Sequence, residues 1–221
     1  MADGSPTPLI GKTKLRILDH AVAAFNRDGF GQVTVSALAD EIGMSEGNLW
    51  YHYRTKADLL DGIQTLFIRD WQELFEVPLE SGDLAADYAG FVSAWQELFT
   101  RYVFLFRDRS EYGAHSDALS ALLPEIYAQV SARLRTHYGA MAARGALSGD
   151  AGDLDDLIRT VIIVTRFYLE FEAETRAGAA SSCPEDALAH HLTVLRPMME
   201  PDLLSAIQER LAMAADVDPE G

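Results

Sequence analysis

The chain has 221 residues, with 18 Lys and Arg against 34 Asp and Glu, a formal net charge of −16, 48% hydrophobic residues and one cysteine, Cys183. That hydrophobic content supports a buried core and excludes global disorder. A lone cysteine excludes an internal disulfide, a multi-cysteine metal site and a CxxC redox pair, and fits a reducing cytoplasm.

The acid is unevenly placed. Residues 1–70 hold 7 basic and 9 acidic residues, while residues 71–221 hold 11 and 25. Between Lys12 and Lys56 the basic residues lead, 6 to 5. A strongly acidic chain repels nucleic acid except where a local basic edge prevails. No apolar run reaches the ~18 residues of a membrane span, because Arg159, Arg166 and Glu170 interrupt the longest candidate, Leu157 to Phe171. The first twelve residues read as a loose tail without an apolar export core.

Helical signals then follow one another along the chain. Leu15, Leu18, Val22 and Phe25 mark one face of a first helix that ends near Gly29. Thr34 is positioned to cap a short second helix with Val35, Leu38, Ala39 and Ile42 inward. Ser45 caps a third, with Leu49 and Tyr53 inward, and Thr55 a longer fourth, with Leu59, Leu60, Ile63, Phe67, Trp71 and Leu74 inward. The fourth stops before Pro78, and Ser81-Gly-Asp reads as a linker. An aromatic helix is predicted from Leu84 to about Arg107, and Pro124 is predicted to open another that ends at Gly145. Three more are predicted over Leu154–Arg176, Pro184–Met199 and Pro201–Ala215. The prediction is all-α: a flexible tail over residues 1–12, an N-terminal helical domain over 13–76 and a larger helical body over 83–215.

Residues 34–56 carry the most information. A helix-turn-helix needs a small residue where its helices cross, a turn residue tolerant of left-handed φ, and an apolar anchor on the second helix. Ala39, Gly43 and Leu49 meet these demands between two capped helix starts. The second helix is polar and short, and its Gly47 and Asn48 are poor helix formers. A small residue lets the helix start approach base edges, and asparagine pairs bidentately with adenine. The alternative is an ordinary surface turn with two packed aromatics. Lys56, and Lys12, Lys14 and Arg16, sit at helix starts, where an external anion such as phosphate would make their charge favourable; the alternative, stronger for Lys12 and Lys14 than for Lys56, is a solvated basic face.

The run Gly43-Met-Ser-Glu-Gly-Asn-Leu-Trp-Tyr-His-Tyr-Arg-Thr-Lys56, with its flanking helices over about residues 13–65, resembles the DNA-binding domain of the TetR family of bacterial regulators. The resemblance implies a dimeric, all-helical repressor whose third helix enters the major groove and whose C-terminal body binds a small molecule that releases the DNA. It implies phosphate contacts from Thr34, Tyr51, His52 and Lys56, base contacts from Ser36, Gly47, Asn48 and Trp50, and core roles for Leu49 and Tyr53. Glu46 departs from the family's pattern, either to read a cytosine amine or to repel a phosphate.

In the body, Phe91, Trp95, Leu98, Phe99, Tyr102 and Phe106 form one stripe and Phe167, Tyr168 and Phe171 another, with Tyr127 between. Such stripes are either plain core or the walls of a ligand cavity. The ligand reading selects Trp95, Phe99, Tyr102, Tyr127, Arg166 and Glu170. Gln96, Tyr112 and His115 are further polar candidates near the stripes. Arg166 pairs either with Glu170 one turn on or with an acidic ligand. By resemblance the helices over 154–176 and 184–199 build a homodimer, and Val161, Ile162, Val164 and Thr165, more than one face buries, are consistent with a second buried face.

No phosphate-binding glycine loop, GxSxG or HExxH motif occurs. His190 and His191 are adjacent and point to different helix faces, and the cluster Asp150, Asp153, Asp155 and Asp156 lacks calcium-loop spacing. The chain is therefore read as a non-enzymatic cytoplasmic regulator without metal or cofactor, partnered by duplex DNA, a small-molecule effector and a second copy of itself. The competing readings are a helical sensor dimer that has lost DNA binding and, more remotely, a helical enzyme.

Overall fold

The computed structural model describes residues 11–76, 82–112, 117–149, 151–175 and 184–215. These form eleven helices, and the one strand-like feature among them is an isolated antiparallel bridge between Leu147 and Met199. The chain divides into two compact units. The first comprises residues 1–73 and 101–122, and the second residues 74–100 and 123–221.

The first unit opens with α1 (Lys12–Asp28), which buries Ile17, Leu18, Ala21, Val22, Ala24 and Phe25. Leu15, predicted inward, is only half-buried, so the buried stripe lies slightly to one side of the predicted one. Gly29 ends the helix at φ +87°. Then come α2 (Val35–Ile42), α3 (Glu46–His52) and α4 (Lys56–Glu76). Leu49 and Tyr53 pack inward with Leu59, Leu60, Ile63, Phe67 and Trp71. Gly62 lets α4 pack tightly here: a Cβ there would stand 2.8 Å from Leu18 Cδ2 and 3.1 Å from Tyr53 Cε1.

The predicted aromatic helix to Arg107 is in fact two. α5 (Leu84–Arg101) stops and α6 (Val103–Arg107) starts across Tyr102, whose backbone (φ −118°, ψ 31°) leaves the helix. One side chain repairs the break. Asn26 donates Nδ2–H to the Arg101 carbonyl (2.9 Å), and its Oδ1 accepts from the Phe104 N–H (3.1 Å). α7 (Arg109–Tyr112) follows at once. Thus residues 101–112, predicted to belong to the C-terminal body, are part of the first unit.

The second unit takes in most of α5 and of α8 (Asp117–Ala143), with α9 (Ala151–Thr175), α10 (Pro184–Leu195) and α11 (Pro201–Ala215). Pro124 does not open α8 but lies inside it. Its missing N–H forfeits one backbone hydrogen bond, while the buried stripe Leu123, Ile126, Val130 and Leu134 runs through without interruption. α8 ends where Gly145 adopts φ +73°, as its position predicted.

The core of this unit is aromatic. Phe91 stacks on Trp95 (6.1 Å between centroids) and on His137 (5.3 Å). The fully buried hydroxyls of Tyr88 and Tyr138 meet at 2.9 Å, and Tyr88 also meets His191 Nε2 at 2.8 Å. Two of the acidic-cluster carboxylates are used in ion pairs, Asp155 with Arg135 and Asp156 with Arg159. Asp150 and Cys183 lie outside the described residues. Among the described residues no helix is long and apolar enough to cross a membrane, and no group of three or more His, Cys, Asp or Glu side chains converges as a metal site.

Candidate nucleic-acid interface

The helix-turn-helix is fixed by capping. Thr34 Oγ1 accepts from the Ala37 N–H (3.2 Å) and starts α2; Ser45 Oγ accepts from the Asn48 N–H (3.3 Å) and starts α3. Between them Gly43 takes φ +74°, ψ 36°, the left-handed region costly to any residue with a Cβ. The Met44 N–H then reaches back to the Ala39 carbonyl (3.0 Å), so the end of α2 spends its free carbonyls on the turn. α4 starts on a reciprocal cap: Asp58 Oδ2 accepts from the Arg54 (2.8 Å) and Thr55 (3.0 Å) N–H groups, and Thr55 Oγ1 accepts from the Asp58 N–H (3.1 Å).

This leaves α3 anchored on one side and open on the other. Leu49 is fully buried and Tyr53 nearly so. Burial holds the Tyr53 phenol up at about 12. Thr34, Ser36, Gly47 and Asn48 are exposed, as are the large rings of Trp50 (44%) and Tyr51 (82%). His52 is half-buried, with its ring edge-on to Tyr51 at 5.2 Å. Soluble surfaces rarely present two neighbouring aromatics without a use for them. With its side chains an α-helix is ~10–12 Å across, which fits a major groove about 12 Å wide. Lys12, Lys14 and Arg16 are exposed on α1, and Lys14 Nζ stands 5.7 Å from the Tyr53 ring centre. Arg54, an exposed cation at the α3–α4 turn, was not among the predicted contacts.

Lys56 is more engaged than its sequence position suggests. Its ammonium donates to the Phe30 carbonyl and lies over the Phe30 ring at 4.2 Å, and desolvation lowers its pKa. Two N–H donors of the ammonium are left for an outside acceptor. Glu46 sits exposed in the first turn of α3, where the helix dipole favours a negative charge by ~0.3–1 kcal/mol.

The ligand candidates are scattered differently from the prediction. Trp95 and Phe99 are buried on α5, while Tyr127 on α8 and Arg166 on α9 are half-buried. Arg166 lies over the Phe167 ring at 4.9 Å. The side chain of Glu170 and all of His115 lie outside the described residues, so the predicted Arg166–Glu170 pairing does too. Tyr102 belongs to the first unit, fully buried, its hydroxyl donating to Asp70 Oδ2 (2.7 Å) and its ring edge-on to Phe67 (5.3 Å). Tyr112 likewise donates to the Leu105 carbonyl within that unit. Both hydroxyls are thus satisfied by the DNA-binding unit's own groups. Pattern reading set Tyr102 on one aromatic helix with Trp95 and Phe99 because the break there is held by Asn26, 76 positions earlier.

A capped helix-turn-helix with an exposed polar reading face, set before a larger helical body, defines a DNA-binding transcriptional regulator. Family comparisons agree. Residues 17–63 match the model for bacterial regulatory proteins of the tetR family, and residues 66–207 match the TetR model, described as a bacterial transcriptional repressor. The chain belongs to the TetR family. Similar solved structures include a TetR-family regulator from Marinobacter aquaeolei (19% identity, TM-score 0.74, covering 95% of this chain and 100% of that one) and one from Haloarcula marismortui (20%, 0.62, 86% and 100%). A SmeT–triclosan complex is also similar (15%, 0.59, 87% and 94%). At these identities the likeness is one of fold. A comparison with curated proteins finds no match.

Proposed function

We propose that the chain is a cytoplasmic homodimeric repressor that binds an inverted-repeat operator and lets it go when a small molecule occupies the C-terminal body. One observation carries the reading: an α3 pinned by Leu49 and Tyr53, with Gly47, Asn48, Trp50 and Tyr51 left in solvent. In this reading Ser36, Gly47, Asn48 and Trp50 meet base edges, while Thr34, Tyr51, His52 and Lys56 meet phosphates. Thr34 keeps its hydroxyl proton for this, since capping uses only its oxygen.

Support for the dimer comes from α9. Ile163, Phe167 and Phe171 are each at least half-exposed and recur every fourth residue, one apolar stripe along the helix. A two-fold dimer presents two α3 helices in opposite orientation and so demands inverted half-sites. The effector site is assigned to the body around Trp95, Phe99, Tyr127, Arg166 and Glu170. It is supported by the buried rings of Trp95 and Phe99 in that body and by the SmeT relative, whose structure holds triclosan. The ligand acts only through its differential affinity for DNA-competent and DNA-incompetent states. No group is assigned a catalytic role.

Selection of bound duplexes from a random pool by the full-length chain tests this directly. Enrichment of an inverted repeat is the expected result. Failure to retain any duplex, at low or moderate salt, would instead favour a sensor whose helix-turn-helix no longer binds DNA.

A further inference from the structure

One peptide group in the first unit is held from both ends by charge. The Gly31 N–H donates to Glu111 Oε2 (2.8 Å), and the carbonyl of the same peptide, Phe30 O, accepts from the Lys56 ammonium. The preceding N–H, of Phe30, donates to Asp108 Oδ2 (2.8 Å). Asp108 is in turn held by Arg107 Nε (2.6 Å), and the Arg107 guanidinium also caps the Phe25 and Asn26 carbonyls at the end of α1 (2.9 Å each). In a trans peptide the N–H and C=O point in opposite directions. Carboxylate, peptide and ammonium therefore line up with the peptide dipole, each bond polarising the next.

Glycine at position 31 makes the contact feasible. A Cβ there would lie 2.4 Å from Glu111 Oε2, so any other residue forces the carboxylate away. Nothing else crowds that position, since the remaining near atoms belong to the same Glu111 side chain.

We propose that Glu111 is a positioning residue for DNA binding: through the Phe30–Gly31 peptide it fixes the Lys56 ammonium at the start of α4, where its remaining donors meet a phosphate, while Asp108 steadies the peptide before it. The proposal rests on the DNA-binding reading. It has a distinctive sign. An exposed acid in a DNA-binding unit ordinarily weakens binding by repulsion, and its removal tightens it. Here removal of Glu111 loosens Lys56 and weakens binding.

The test uses the full-length chain, a duplex recovered from the random-pool selection and an unrelated duplex of equal length. Glu111→Ala is expected to weaken both by roughly three- to tenfold, in keeping with loss of a charge-assisted hydrogen bond at a partly exposed site. Gly31→Ala should reproduce the loss. Glu111→Gln, which keeps an acceptor oxygen, should recover most of the affinity. The Lys56→Ala, Glu111→Ala double variant should bind no more weakly than Lys56→Ala alone, because both changes act through one ammonium. Tighter binding by Glu111→Ala, or losses that simply add, would overturn the proposal. A second cycle reads the same coupling without DNA, in denaturant unfolding of the four chains. Coupling there with no DNA binding by any chain would refute the repressor reading and leave the peptide bridge standing; absence of coupling there refutes the bridge itself.

Discussion

At the scale of single residues, the proposed function divides α3 and the start of α4 into readers and holders. Asn48 is exposed near the start of α3, where its amide has room for a base edge. Asn48→Ala is expected to cost ~1–3 kcal/mol on the operator and to relax preference at one base pair, leaving random duplex nearly unaffected. Equal losses on both duplexes, in fluorescence titrations, would remove its reading role. Lys56→Ala should weaken both alike and lower the slope of log affinity against log salt by about one. Glu46 gains a local reason from its place in the first turn of α3. If that is its whole role, Glu46→Gln tightens every duplex to a similar degree; a loss confined to one base pair would show that it reads a cytosine amine. In the body, burial, and secondarily Arg133, push His137 down to about 4. The unfolded chain takes up this proton below about 6.5 and the folded chain refuses it until about 4, so stability falls as pH drops through that window. Thermal melts between pH 7.5 and 4.5 should show the fall, and His137→Phe should flatten that contribution.

At the scale of elements, the helix-turn-helix stands on caps and on one glycine. Gly43→Ala forces a Cβ into φ +74° and is expected to cost about 1–2 kcal/mol in denaturant unfolding, with weaker DNA binding because α3 is re-aimed. These features were legible in sequence because they are local. Thr34 and Ser45 bond three residues onward, and Gly43 answers to its own φ. The helix break at Tyr102 was not legible. It is repaired by Asn26 from α1 and finished by Asp70 from α4, partners no window of neighbouring residues contains. Pro124 misled for the opposite reason: it is a strong local signal, and the buried stripe of α8 outweighs it.

At the scale of the whole molecule, the proposed function rests on charge and symmetry together. Residues 71–221 carry a net −14, so binding depends on the local cations of the first unit and should fall steeply with salt. Recognition of an inverted repeat needs two copies. Phe167→Glu places a charge on the exposed stripe of α9 and is expected to shift the protein to its single-chain mass of 24.3 kDa in sedimentation, with loss of operator binding. A variant that stays dimeric, or a monomer that binds as well as the dimer, would contradict the use assigned to that face.

Short-range signals were enough for the all-helical class, the helix-turn-helix and its family, because periodicity, caps and turn glycines act over three or four residues. They also sufficed to show that Leu49 and Tyr53 face inward and that Gly47, Asn48 and Trp50 are left over. Only the tertiary structure decided what Lys56 touches, that residues 101–112 join the first unit, and that Tyr88, Tyr138 and His191 share one buried network. Those outcomes depend on partners dozens of residues apart, whose meeting is set by packing and by the requirement that buried polar groups find one another.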